Sequence, residues 1–192
     1  APFWANLYLY FYEETYISNL IRVDRTKARK FNSTRRFIDD LITINDDGEF
    51  GREYRNIYPA ELELKVEHSG VHATFLSLDN RIKDRKIIYK LYDKREDFPF
   101  SIVRLPHIAS NIPINIFYSA LTGEFLRIAR CSLFFVDFLP KARELIKRIL
   151  SQGGKIERVG NIVRKMVASH SSLFTNFGVP TNAMVIQVLN LP

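Results

Sequence analysis

The chain has 192 residues, 46% of them hydrophobic, with fifteen Phe and nine Tyr, which gives room for one globular domain, or one domain with a small appendage, and for a sizeable core. A single cysteine, Cys131, excludes an intrachain disulfide and a Cys-based zinc site and fits a reducing, intracellular setting, while apolar runs such as 133–136 are far too short to cross a bilayer, so no membrane partner is expected. Lys and Arg exceed Asp and Glu by 28 − 21 = 7, and a pI near 9.5 suits a polyanionic partner.

Residues 1–21 read as a helix. Phe3, Leu7, Tyr10 and Phe11 share one face, and Pro2 suits a first turn. Trp4, Tyr8, Tyr12 and Tyr16 extend the apolar surface nearly all round, which predicts a helix buried between layers. No basic stretch precedes an apolar run, so no signal peptide is read. The chain does not open on Met, and it reads as a fragment of a longer protein. Residues 22–33 are basic through Arg22, Arg25, Lys27, Arg29 and Lys30, a solvated face or a segment that meets phosphates.

Residues 34–44 predict a hairpin: strand, tight turn with Asp39 and Asp40 at its tip, strand. Residues 45–48 (Asn-Asp-Asp-Gly) are a turn, and 49–58 a short helix stopped by Pro59. From 61 to 67 apolar Leu62, Leu64 and Val66 alternate with Glu61, Glu63, Lys65 and Glu67, the pattern of a half-buried strand. Residues 73–82 and 87–92 are two further strands joined by the charged turn 83–86, so an antiparallel meander is expected. Residues 93–113 are loop-rich, with Pro99, Pro106 and Pro113.

Helical periodicity then takes over. Phe117, Leu121, Phe125, Ile128 and Leu133 form a stripe over 114–138. Pro140 opens a second amphipathic helix to 150, ended by Gly153-Gly154, and 156–167 is a third. All three carry Lys and Arg on their polar faces. The tail from 169 ends in a short apolar, strand-like run, 183–191.

Chemistry concentrates at Arg35-Arg36-Phe37-Ile38-Asp39-Asp40-Leu41. A hairpin tip can hold a carboxylate rigidly at a cleft mouth, where nucleotidyl-transferring polymerases hold Mg²⁺. Taken alone, an acidic pair is more often a solvated turn, and the nearby Asp46-Asp47-Gly48 reads as such. His68, His72, His107 and His170 show no metal-ligand spacing with Cys131, and neither a Gly-rich phosphate loop nor a nucleophile elbow occurs.

The order of parts over 1–167 resembles the reverse transcriptase of Penelope-like retroelements, relatives of telomerase. It runs APFWANLYLYFYE, a basic spacer, RRFIDDLITIN, IYPAELEL, TFLSLDNRI, IIYKLYDKREDFPF, then SNIP, EFLRIARC and a later DF. The Phe37-Ile38-Asp39-Asp40 box and the aromatic helix before it are the most specific parts. The resemblance implies an α+β fold: a partial right-hand polymerase palm over 1–98 (helix, metal-binding hairpin, antiparallel meander), a helical thumb over 99–168, and a tail, 169–192, of unassigned role. It implies RNA-directed DNA synthesis with Mg²⁺, or Mn²⁺, on an RNA template and DNA primer with deoxynucleoside triphosphates, in a nuclear setting.

In that scheme Asp39 is the principal metal ligand, and Asp40 is the accessory ligand or a structural turn residue. Lys65 is a proton donor to pyrophosphate or a plain strand lysine. Lys90, Lys94, Arg127, Arg130, Lys147 and Arg148 contact backbone phosphates or are solvated faces. The family's first carboxylate and the Gly-containing start of its nucleotide helix are absent from this chain, and Ser77 stands where the family tends to carry Asp. The expectation is therefore a chain inactive by itself that works with an upstream part of the polymerase. The alternative is a non-catalytic nucleic-acid-binding or interaction module derived from such an enzyme.

Overall fold

The computed structural model describes residues 2–44, 47–100, 102–103 and 105–191. The fold is α+β, with eight α-helices and two small antiparallel sheets among the described residues. It divides into two compact units, Ala1–Ser69 and Gly70–Pro192.

The first unit starts with α1 (Pro2–Val23). Asp24 ends it and begins α2 (Arg25–Lys30), its carboxylate accepting from the Thr26 and Lys27 amides at 3.0 and 2.9 Å, a standard N-cap. A 3₁₀ turn at Phe31–Ser33 leads into β1 (Thr34–Phe37) and β2 (Asp40–Thr43). Helix α3 (Glu49–Ile57) follows and stops before Pro59. Of the turn expected at 45–48, Asn45 and Asp46 lie outside the described residues.

The core of this unit is small: Phe31, Phe50 and Ile57, with Tyr16, Ile17, Leu20, Leu41, Tyr54, Tyr58 and Leu64 against them. It reaches only the C-terminal half of α1. The helix is therefore not enclosed as its composition predicts: no residue of it is buried, and Trp4 is 70% and Phe11 65% exposed. Residues 61–67 form no strand. Alternation marks a surface that fits a sheet, but a strand needs a neighbour to accept its backbone bonds, and here β1 and β2 pair only with each other. Leu64 alone of the three apolar positions meets the core.

Polar contacts supplement that core. Glu53 accepts from the Tyr16 hydroxyl (2.6 Å), the Lys27 ammonium (2.6 Å) and the Asn56 amide (3.0 Å). It thereby links α1, α2 and α3. Lys27, then Tyr16 and Asn56, pull the Glu53 carboxyl down from 4.5 to about 2.

In the second unit β3 (His72–Phe75), β4 (Leu78–Lys83) and β5 (Lys86–Leu91) form an antiparallel meander, but not from the three strands expected at 61–67, 73–82 and 87–92. The segment 73–82 is not one strand. Leu76 and Ser77 form a two-residue turn between Phe75 and Leu78, with Leu76 at φ 55°. No Gly, Asn or Pro announces this turn, and the Tyr92 amide closes onto the Ser77 carbonyl at 2.9 Å.

Helices α4 (Ile114–Arg130), α5 (Phe135–Ser151), α6 (Ile156–Ser169), α7 (Ser171–Thr175) and α8 (Thr181–Leu189) complete the unit. The expected helix 114–138 breaks at 131–134. There the Ser132 hydroxyl donates to the Ile128 carbonyl at 2.8 Å and the Leu133 amide to the Tyr89 carbonyl of β5 at 3.3 Å. Pro140 does not start α5 but lies inside it, removing the donor that would reach the Val136 carbonyl. The chain reversal brings Phe125 and Phe138 edge-on at 5.4 Å, with Phe174 and Phe177 beside them. The apolar run 183–191 is mostly helix, because Met184 and Val188, four apart, both enter the core. Short apolar runs do not distinguish strand from helix by period alone.

The expected divisions at 98/99 and 168/169 both fall inside this unit. Leu91 of β5 and Met184 and Val188 of α8 belong to one apolar cluster with α4, α5 and α6. No helix is long and apolar enough to cross a membrane among the described residues.

Two outcomes follow from these contacts. Gly153 sits at φ 89°, and a Cβ there would meet Ile108 Cγ2 at 2.6 Å. Gly153→Ala is expected to lower the unfolding free energy by about 2 kcal/mol, measured by urea denaturation. Because the Glu53 carboxyl is depressed in the fold, its contribution is complete above its ordinary 4.5 and is lost as pH falls from there toward about 2. Glu53→Gln should remove that part of the acid limb in a stability–pH curve.

Candidate functional site

The β1–β2 register sets the geometry of the acidic pair. Phe37 pairs with Asp40, so the two turn residues are Ile38 and Asp39, and Asp40 is the first residue of β2 rather than part of the tip. Ile38 has φ 57°. A positive φ at the first position of a two-residue hairpin turn normally takes Gly, and a β-branched residue there is a strained exception. Such strain persists only where surrounding contacts hold it, and it concentrates at functional sites.

Those contacts come from Arg36. Its guanidinium forms a fork with Glu13 on α1, Nε to Oε1 at 2.6 Å and Nη2 to Oε2 at 3.2 Å. Nη1 also donates to Asn6 Oδ1 at 2.7 Å and to the Ile38 carbonyl at 3.2 Å. The Tyr58 hydroxyl donates to the same Glu13 carboxylate at 2.6 Å. Burial, then the bond to Glu13, pushes the Tyr58 hydroxyl well above its ordinary value. Arg35 points elsewhere and donates to the Asn32 and Thr34 carbonyls at 2.7 and 2.8 Å.

Both neighbouring arginines are thus committed away from the acidic pair. Asp39 and Asp40 are exposed, and neither carboxylate has a hydrogen bond or ion pair among the described residues. No group of three or more His, Cys, Asp or Glu that could hold a metal forms among the described residues. The hairpin therefore offers two free carboxylates, one on the turn and one at the strand start.

Lys65 belongs to the same unit as the hairpin, but it lies in the irregular segment 61–67 and is exposed. The other six expected cations belong to the second unit, and the structure sorts them. Lys90 pairs with the buried Asp79 at 3.7 Å, beside His72 and Arg81. Arg127 pairs with Glu124 at 2.9 Å, and Arg148 with Glu144 one turn away. Lys94, Arg130 and Lys147 are exposed, with no side-chain partner among the described residues.

Sequence reasoning missed Glu13, Asn6 and Tyr58 as supports of the hairpin. The one signal available was Arg36 itself, a second cation directly before the box. A guanidinium two residues from an acidic turn invites pairing with that turn, whereas the tertiary fold supplies a better acceptor 23 residues upstream. Asp93 shows what a paired carboxylate looks like here: it is buried, it takes a fork from Arg95, and that guanidinium holds its carboxyl down at about 2.

No protein-family model, curated protein or solved structure matches this chain.

A carboxylate without partners contributes little to folding. Asp39→Asn is expected to leave the unfolding free energy within about 0.5 kcal/mol of the parent, or to raise it by relieving repulsion from Asp40. Denaturant titration of the two proteins reads this directly.

Proposed function

We propose that this chain is part of an RNA-directed DNA polymerase of the Penelope-like retroelement type, contributing the metal-binding hairpin of the palm and a helical, duplex-holding thumb. One observation carries the reading. In a chain with more cations than carboxylates, the two adjacent carboxylates of the Phe-Ile-Asp-Asp box, one on a strained turn and one at the start of β2, have no partner among the described residues, and both nearby arginines are bound elsewhere.

The donor set fits a hard divalent cation. Mg²⁺ takes one or two protein carboxylates and completes its shell with water and substrate phosphates. Asp39 would be the principal ligand and Asp40 the accessory one. When bound, the ion supplies charge stabilisation at the phosphoryl oxygens and lowers the pKa of an attacking 3′-hydroxyl. Lys94, Arg130 and Lys147 are free to meet phosphates of the template–primer duplex, whereas Lys90, Arg127 and Arg148 would first have to leave their carboxylates. Lys65 is exposed and available as a proton donor to the leaving pyrophosphate.

A second reading is a non-catalytic nucleic-acid-binding module derived from such an enzyme. It is favoured by the lack of a third carboxylate, His or Cys beside the pair among the described residues.

Both readings expect an RNA–DNA duplex to bind with steep salt dependence and little sequence preference. Fluorescence anisotropy should show Lys94→Gln, Arg130→Gln and Lys147→Gln each reducing the salt slope by about 1, and Lys90→Gln by less. Salt-insensitive binding counts against both. Mn²⁺ binding that depends on Asp39 supports the polymerase reading, and binding unchanged by Asp39→Asn overturns it. Primer extension with Mg²⁺ is expected to be absent for these 192 residues alone. Robust synthesis would show that further metal ligands are not needed.

A further inference from the structure

We propose that Arg36 is the positioning residue of the acidic hairpin: held by Glu13 and Asn6, its guanidinium fixes the Ile38-Asp39 turn and is itself kept from neutralising Asp39. The inference rests on the metal-binding reading of Asp39 given above.

Three observations support it independently of any resemblance. The first is the contact to the turn. Nη1 of Arg36 donates to the Ile38 carbonyl at 3.2 Å, and Ile38 is the strained residue at φ 57°. That carbonyl belongs to the peptide that joins Ile38 to Asp39, so the guanidinium fixes the plane from which the Asp39 side chain departs.

The second is the strength of the hold on Arg36. Its side chain is 12% exposed and that of Glu13 is 28% exposed. The fork uses both carboxylate oxygens of Glu13, and Asn6 takes a further bond at 2.7 Å. A planar guanidinium can hold Glu13, Asn6 and the turn carbonyl at once. A lysine ammonium, a single point of charge, cannot span the three.

The third is charge selection. Arg36 and Asp39 are close in sequence and opposite in sign, so the default outcome is a local ion pair. Glu13, supported by the Tyr58 hydroxyl at 2.6 Å, outcompetes Asp39 for the cation. The hairpin keeps a guanidinium that orients it without losing the negative charge a divalent cation requires. Groups that orient a metal ligand from behind typically change metal affinity by ~10–100-fold when removed.

The test uses the full 192-residue chain with Mn²⁺ as probe, titrated by electron paramagnetic resonance, and the Ile38 carbonyl ¹³C resonance as the signature of the clamp. Asp39→Asn first establishes that binding is at the hairpin. Glu13→Gln and Arg36→Lys are then each expected to weaken Mn²⁺ binding by about tenfold and to shift the Ile38 carbonyl signal. Ile57→Ala, which opens the core of the same unit without touching the turn, is the control: it lowers Tm and leaves both readouts unchanged below the transition. If Mn²⁺ binding depends on Asp39 but Glu13→Gln and Arg36→Lys leave affinity within twofold and the carbonyl signal in place, the positioning role is overturned while the metal reading stands. If binding in the parent is indifferent to Asp39→Asn, the metal reading fails, and the Ile38 signal then decides by itself whether Arg36 holds the turn.

Discussion

The ion pair between Glu13 and Arg36 is the constraint on which the acidic hairpin depends. It joins the middle of α1 to Arg36 of β1, 23 positions later and next to the two-residue turn, and it does so at low exposure, where a lone charge is expensive to leave. Removing either partner would leave the other partly buried without its opposite charge. The consequence is local and specific. Arg36 cannot serve Asp39, and the turn it grips carries a β-branched residue in a conformation that such residues avoid. The contact that holds Ile38 comes from Arg36 of β1, which is itself anchored by Glu13 and Asn6 on α1.

Charge is handled differently elsewhere in the molecule. Asp79 is buried and shared among His72, Arg81 and Lys90. Asp93 is buried against Arg95, and Glu53 gathers Tyr16, Lys27 and Asn56. These carboxylates are integrated into structure, and their carboxyls are held below the usual carboxylate range. Asp39 and Asp40 are not integrated. Under the proposed reading, these two exposed carboxylates are the ones left to meet a small cation.

The two units are stabilised by different means. The second has a continuous apolar cluster in which Phe117, Phe125, Phe138 and Phe174 are fully buried, each such residue contributing ~1.5–3 kcal/mol. Its β4–β5 turn places Asp84 and Arg85 both at positive φ, the arrangement whose twist matches the strands it joins. Among the described residues the first unit's core cluster has three buried members, Phe31, Phe50 and Ile57, and polar ties link its helices. Its α1 leaves Phe3, Trp4 and Phe11 largely in solvent, a surface out of proportion to the core beneath it.

Much of this was written in residue order. The helices α4, α5 and α6 follow from apolar positions three and four apart, the hairpin from short apolar runs flanking an acidic pair, and the end of α5 from Gly153-Gly154, because these signals depend only on local backbone preference and side-chain period. What local period could not decide was partnership. The stretch 61–67 alternates like a strand but has no neighbour to pair with, and α1 is apolar like a buried helix but has too little packed against it. The run 183–191 became helix because two residues one turn apart found a core. The acidic box was legible as a hairpin from its sequence alone. Its hydrogen-bonded surroundings were not, since these required Arg36 of β1 to choose a carboxylate on α1 over the one two peptide bonds beyond Phe37, and only the tertiary structure brings Glu13 within 2.6 Å.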